Sequence, residues 1–119
     1  MASRYCIAVD WLEVCCYGRD LEPSFFNWDG KYFSVEQEDR ETPLFKSFFV
    51  VKRNGLEWAQ IRQNPKAGIM KKGLTIIKLA NRTLYHEKYV PFLMQMIQAL
   101  GLFYKGLTRL DIAYDCNTF

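Results

Sequence analysis

The sequence predicts an α+β domain, a mostly antiparallel sheet with one main helix, about 90–103, packed on one face. Long stretches are rich in β-branched and aromatic residues, two Asp/Asn-Gly pairs mark tight hairpins, and a single segment switches to helical spacing. The order strands, helix, strand places the helix on one side of the sheet. At 119 residues, the chain reads as one domain over 1–119, long enough to build a core without disulfides.

The first strand, 5–17 (YCIAVDWLEVCCY), is too apolar on both sides for a surface helix and ends at Gly18. Asp29-Gly30 joins SFFNW to KYFSVEQ, and Asn54-Gly55 joins LFKSFFVVKR to LEWAQIRQ. Both pairs suit a type I′ turn, which needs positive φ at its two central residues. Between these hairpins EDRETP is a polar loop, 64–73 is a basic connection, and LTIIKLA, 74–80, is a further strand. In YVPFLMQMIQALGLFY, Leu93, Met96, Ile97 and Leu100 recur at helical spacing. Pro91 suits the first turn and Gly101 the position beyond the last. The helix feeds the closing strand GLTRLDIAYDC, 106–116.

Composition narrows the function classes. No cleavable leader follows Met1, and no apolar run approaches the roughly 20 residues of a membrane span, so the expectation is a cytoplasmic protein with no membrane partner. Cys6, Cys15, Cys16 and Cys116 lack zinc or disulfide spacing and are expected to be reduced thiols. With His86 the only histidine, a histidine-rich metal site cannot be built. Net charge is +3, but it is unevenly spread: residues 1–45 hold nine acids and four bases, residues 46–119 four acids and twelve bases. Arg62, Lys66, Lys71, Lys72, Lys78 and Arg82 follow one another with no acid between them. Such a stripe is either a DNA-binding surface acting through counterion release or a solvated basic face.

The closing strand carries three charges. Alternation puts Thr108, Leu110, Ile112, Tyr114 and Cys116 on one face, a good core face, and Arg109, Asp111, Ala113 and Asp115 on the other. At a rise of roughly 3.3 Å per residue, Asp111 and Asp115 stand about 13 Å apart, too far to share one ion. Asp10 is the candidate partner. Strict alternation sets it among Cys6, Ala8, Leu12, Val14 and Cys16, with Glu13 pointing the other way. If the first and last strands are neighbours, Asp10 with Asp111 or Asp115 could hold a divalent ion through oxygen ligands. Equally, Arg109 and Asp111 could form a surface ion pair and Asp115 cap a turn.

LTRLDIAYD resembles the arginine, apolar, aspartate, three apolar, aspartate strand of the Rep-trans family, the initiators of rolling-circle plasmid replication and related relaxases of integrative elements and phages. VDWLEV resembles the family's opening strand, and the run from Leu79 to Asp115 its strand, helix and charged strand; 21–64 contributes little to the likeness. The resemblance implies replication initiation. Such an enzyme binds a replication origin, and a tyrosine attacks one phosphodiester while carboxylates hold magnesium or manganese. It implies Arg109, Asp111 and Asp115 as catalytic positions and Asp10, Asp111 and Asp115 as metal ligands. It also implies a host helicase or polymerase as partner, and a homodimer. The family's tyrosine follows the acidic strand, so the chain, ending at Phe119, is expected to be the N-terminal part of a longer initiator and inactive alone. Tyr114 lies on the apolar face, and neither Tyr85 nor Tyr104 is better placed.

A different class, a non-catalytic module binding nucleic acid or protein, would use Phe25, Phe26, Trp28 and Trp58 as stacking platforms, unless strand spacing buries them in the core. The third alternative is a structural domain whose charged strand makes ion pairs.

Overall fold

The computed structural model describes residues 3–66 and 72–118, with side chains described for 9–66 and 72–112. It bears out the predicted class. Seven strands, β1 (Ser3–Tyr17), β2 (Ser24–Trp28), β3 (Lys31–Glu38), β4 (Phe45–Arg53), β5 (Leu56–Pro65), β6 (Leu74–Leu79) and β7 (Phe103–Thr118), form one sheet in the order β2-β3-β4-β5-β6-β1-β7. Every adjacent pair is antiparallel. The short α1 (Asn81–Leu84), which periodicity did not reveal, and α2 (Tyr89–Ala99) pack on one face, the helix side. No described helix is long and apolar enough to cross a membrane.

Both hairpins turn where the sequence places them: Asp29, Gly30, Asn54 and Gly55 all have positive φ. The main helix ends four residues before the predicted boundary, and the cause is local. Gly101, at φ 67°, donates to the Gln98 carbonyl at 3.1 Å, and Leu102 donates to the Ile97 carbonyl at 3.0 Å. These two bonds close the helix in a Schellman motif and bury Leu102, leaving Phe103 free to start β7.

Alternation builds most of the core. Leu12, Val14 and Cys16 from β1, Val51 and Phe49 from β4, Ile61 from β5 and Ile77 and Leu79 from β6 all face the helices. At the middle of the helix packing Phe92 is fully buried, with Phe33, Trp58, Trp28 and Phe26 around it at 5.0, 5.2, 5.4 and 6.0 Å between ring centroids. Trp58 joins this cluster because Lys52 pairs with Glu57 while Val51 pairs with Ala59, which makes Trp58 the extra residue of a bulge. Three of the four proposed stacking aromatics are therefore core: Phe26 is buried and Trp28 and Trp58 pack against the cluster. Only Phe25 is exposed, stacked on Tyr32 at 5.3 Å.

The apolar face of the closing strand departs from expectation. Leu110 and Ile112 lie opposite Leu12 and Val9, on the helix side, yet are 44% and 59% exposed. The reason is position in the sheet: β7 is an edge, and α2 sits over the aromatics of β2, β3 and β5.

Candidate functional site on the open face of the sheet

The face away from the helices, the open side, gathers the charges of β1, β5, β6 and β7. The first and last strands are paired, with Trp11 opposite Asp111 and Glu13 opposite Arg109. On its other side Glu13 faces Lys78 of β6, which in turn faces Gln60 of β5. Glu13 accepts from Arg62 Nη2 at 3.5 Å.

Asp10 corrects the alternation argument. Val9 pairs with Ile112 and Trp11 with Asp111, so Asp10 is the extra residue of a bulge in β1. The bulge removes its carboxylate from the apolar row of Leu12, Val14 and Cys16. Asp10 is exposed and lines a shallow cleft of about 350 Å³ with Trp11, Glu57, Gln60 and Lys78. It therefore shares the open side with Glu13 instead of opposing it. A polar residue interrupting an apolar alternation is the sequence signal of such a bulge.

Trp11 is the centre of the site, and residue type alone did not single it out. Lys78 Nζ lies 3.6 Å and Arg109 Cζ 4.0 Å from its ring centroid. Both cations gain from the indole quadrupole. The indole N–H is buried and has no hydrogen-bond partner among the described residues. Arg109 also holds Asp111 in a forked ion pair, Nη2 to Oδ2 at 2.7 Å and Nε to Oδ2 at 3.2 Å. The hydrogen bond from Arg109, helped by its charge and opposed by desolvation, keeps the Asp111 carboxyl below its ordinary range.

That shift sets a pH dependence. A carboxyl with a depressed folded pKa stabilises the fold above its unfolded value, and the contribution disappears as pH falls through the folded value. Carbon-detected NMR titration should show Asp111 titrating lower than a free aspartate. Arg109→Gln should move it up toward the ordinary value; an unmoved titration would contradict the pairing.

The remaining candidates are scattered. Asp115 lies opposite Cys6 in β7, and its side chain is outside the described residues. β7 has no bulge between Asp111 and Asp115, so the separation of about 13 Å stands. Of the basic run, Arg62 and Lys78 meet on the open side. Lys66 follows β5 and donates its backbone N–H to the Leu44 carbonyl at 2.8 Å. Lys72 lines a separate cleft with Asp20 and Glu22, Arg82 is exposed on α1, and Lys71 is outside the described residues. Arg109, from outside the run, completes the cationic group around Trp11.

Among the described residues no three His, Cys, Asp or Glu side chains converge as a metal cluster. Cys16 is fully buried, and burial together with neighbouring Cys15 pushes its thiol up to about 11. Burial also raises Cys15, against the opposing charge of Lys105. Neither is an activated nucleophile. No protein-family model, no characterised protein and no solved structure matches this chain.

Proposed function

We propose that the domain belongs to a rolling-circle replication initiator and binds DNA across its open side, with Arg109, Lys78 and Arg62 meeting backbone phosphates. The observation that carries this reading is the group around Trp11: Lys78 and Arg109 lie over its ring, Asp111 stands opposite it on β7, and Asp10 lines the cleft on its β6 side. On this reading Asp10 or Asp111 would offer a carboxylate to magnesium, which keeps several waters and commonly takes one or two protein carboxylates beside a phosphate. Once bound there, such an ion would polarise the scissile phosphodiester. Arg109 keeps Asp111 ionised and orients it. The reading gives the attack on the phosphodiester to a tyrosine hydroxyl and assigns that role to none of Tyr85, Tyr104 and Tyr114.

The test has two arms. DNA affinity should fall steeply with salt, and Lys78→Ala with Arg62→Ala should flatten the slope of log K against log salt by about 0.7–0.9 for each phosphate no longer neutralised. Calorimetry with manganese should show binding that Asp10→Asn or Asp111→Asn abolishes. An unchanged salt slope would remove the DNA surface, and no manganese binding would remove the metal site. A second reading, the non-catalytic nucleic-acid- or protein-binding module, draws on the 2.7 Å Arg109–Asp111 pair, which already occupies one carboxylate. Salt-dependent DNA binding without manganese binding would select it.

A further inference from the structure

Glu13 is an acid set among the cations of the open side. Its place in β1 puts it opposite Lys78 of β6 and opposite Arg109 of β7, so the row across the three strands reads positive, negative, positive. Arg62 of β5 reaches the same carboxylate, Nη2 to Oε1 at 3.5 Å. The Glu13 side chain is only 16% exposed, and this long contact is its one side-chain hydrogen bond among the described residues. A carboxylate withdrawn from water and so weakly bonded is costly by itself. The surrounding cations offset that cost, and the acid in turn relieves their mutual repulsion. Its charge is felt at Arg109, whose guanidinium is held above its ordinary range by the hydrogen bond to Asp111, against desolvation, and then by the charges of Asp111 and Glu13.

We propose that Glu13 is an autoinhibitory counter-anion, its carboxylate holding the place where Arg62, Lys78 and Arg109 would otherwise converge on one phosphate group. The inference rests on the reading of these three cations as phosphate-binding and adds how access to them is regulated.

The geometry suits an anion that can be displaced. Lys78 and Arg109 lie over the Trp11 ring, 3.6 and 4.0 Å from its centroid, and leave only Arg62 in contact with Glu13. At 3.5 Å that bond is at the limit of hydrogen-bond length and is given up at little cost. A phosphate oxygen offers the same guanidinium a shorter charge-assisted bond, so the two anions compete for Arg62. Glu13 thereby sets a threshold. An isolated anion is discouraged by the carboxylate, whereas a polyanion that meets several cations at once overcomes it. At the separations of neighbouring strands, one negative charge beside a surface site changes anion affinity by about tenfold.

Inorganic phosphate titrated into the whole chain, followed by the side-chain NMR resonance of Arg62, tests this without DNA. Glu13→Gln, which keeps the shape and removes the charge, should lower the titration midpoint about tenfold relative to wild type. Glu36→Gln removes the same charge from β3, on the same side of the sheet but away from Arg62, and should leave the midpoint where it is. Far-ultraviolet circular dichroism should be alike for all three proteins. With DNA, Glu13→Gln should bind more tightly and steepen the slope of log K against log salt by about 0.7–0.9, because Arg62 then neutralises one further phosphate. Equal phosphate midpoints for wild type and Glu13→Gln, or an equal gain from Glu36→Gln, would overturn the inference. A tenfold gain for phosphate with no DNA binding by either protein would uphold the role of Glu13 and remove the DNA reading instead.

Discussion

Phe92→Ala is expected to destabilise the fold by about 3–5 kcal/mol, a large part of the roughly 5–15 kcal/mol that holds a domain together. Phe92 is fully buried and its ring touches Phe26, Trp28, Phe33 and Trp58, so truncation empties the space between α2 and three strands. Because those neighbours are large rings held by strand backbones, they relax little into the gap. Urea unfolding should show a midpoint lowered by roughly 2 M at an unchanged slope. Phe92→Leu, which keeps most of the volume, should cost markedly less. Equal losses in the two variants would mean that the rings are not packed as described.

Gln63→Ala is expected to cost about 2–4 kcal/mol for a different reason, the exposure of unpaired polar groups. Gln63 is fully buried in β5 and ties three segments together. Its Oε1 accepts the Leu21 N–H at 2.8 Å, and its Nε2 donates to the Arg19 carbonyl at 2.8 Å and to Thr75 Oγ1 at 3.0 Å. Thr75 in turn donates to the Gly73 carbonyl at 3.1 Å, which also accepts the Gly18 N–H at 3.1 Å. Gln63→Met, which retains volume but neither polar function, separates the two contributions. If Met is nearly as stable as wild type, packing dominates; if it falls with Ala, the hydrogen bonds do. Faster amide exchange at Leu21 in both variants would report release of the loop after β1.

How much could be read in advance depends on how local the cause is. The two hairpins were legible because Asp29-Gly30 and Asn54-Gly55 carry their own backbone preference. The helix was legible from the spacing of Leu93, Met96 and Ile97, and its end from Gly101, although the predicted span overran that glycine. The candidate site was half legible. Arg109 and Asp111 stand on the open side as alternation requires, whereas Asp10 was assigned the wrong face because a single inserted residue shifts every parity argument before it. The basic run appeared continuous along the chain but is dispersed: Arg62 of β5 and Lys78 of β6 share the open side, whereas Lys66 and Lys72 lie in the connection between those strands and Arg82 on α1.

The sequence by itself determined the class of the fold, the turns and the chemistry of the last strand, all of which follow from residue type and period. Tertiary structure decided the neighbours: β1 lies beside β7, a bulge turns Asp10 to the open side, and Trp11 seats two cations. It also made β7 an edge, which leaves Leu110 and Ile112 uncovered. Strand order and bulges arise from the simultaneous packing of distant segments, a balance of many interactions that no short window of residues encodes.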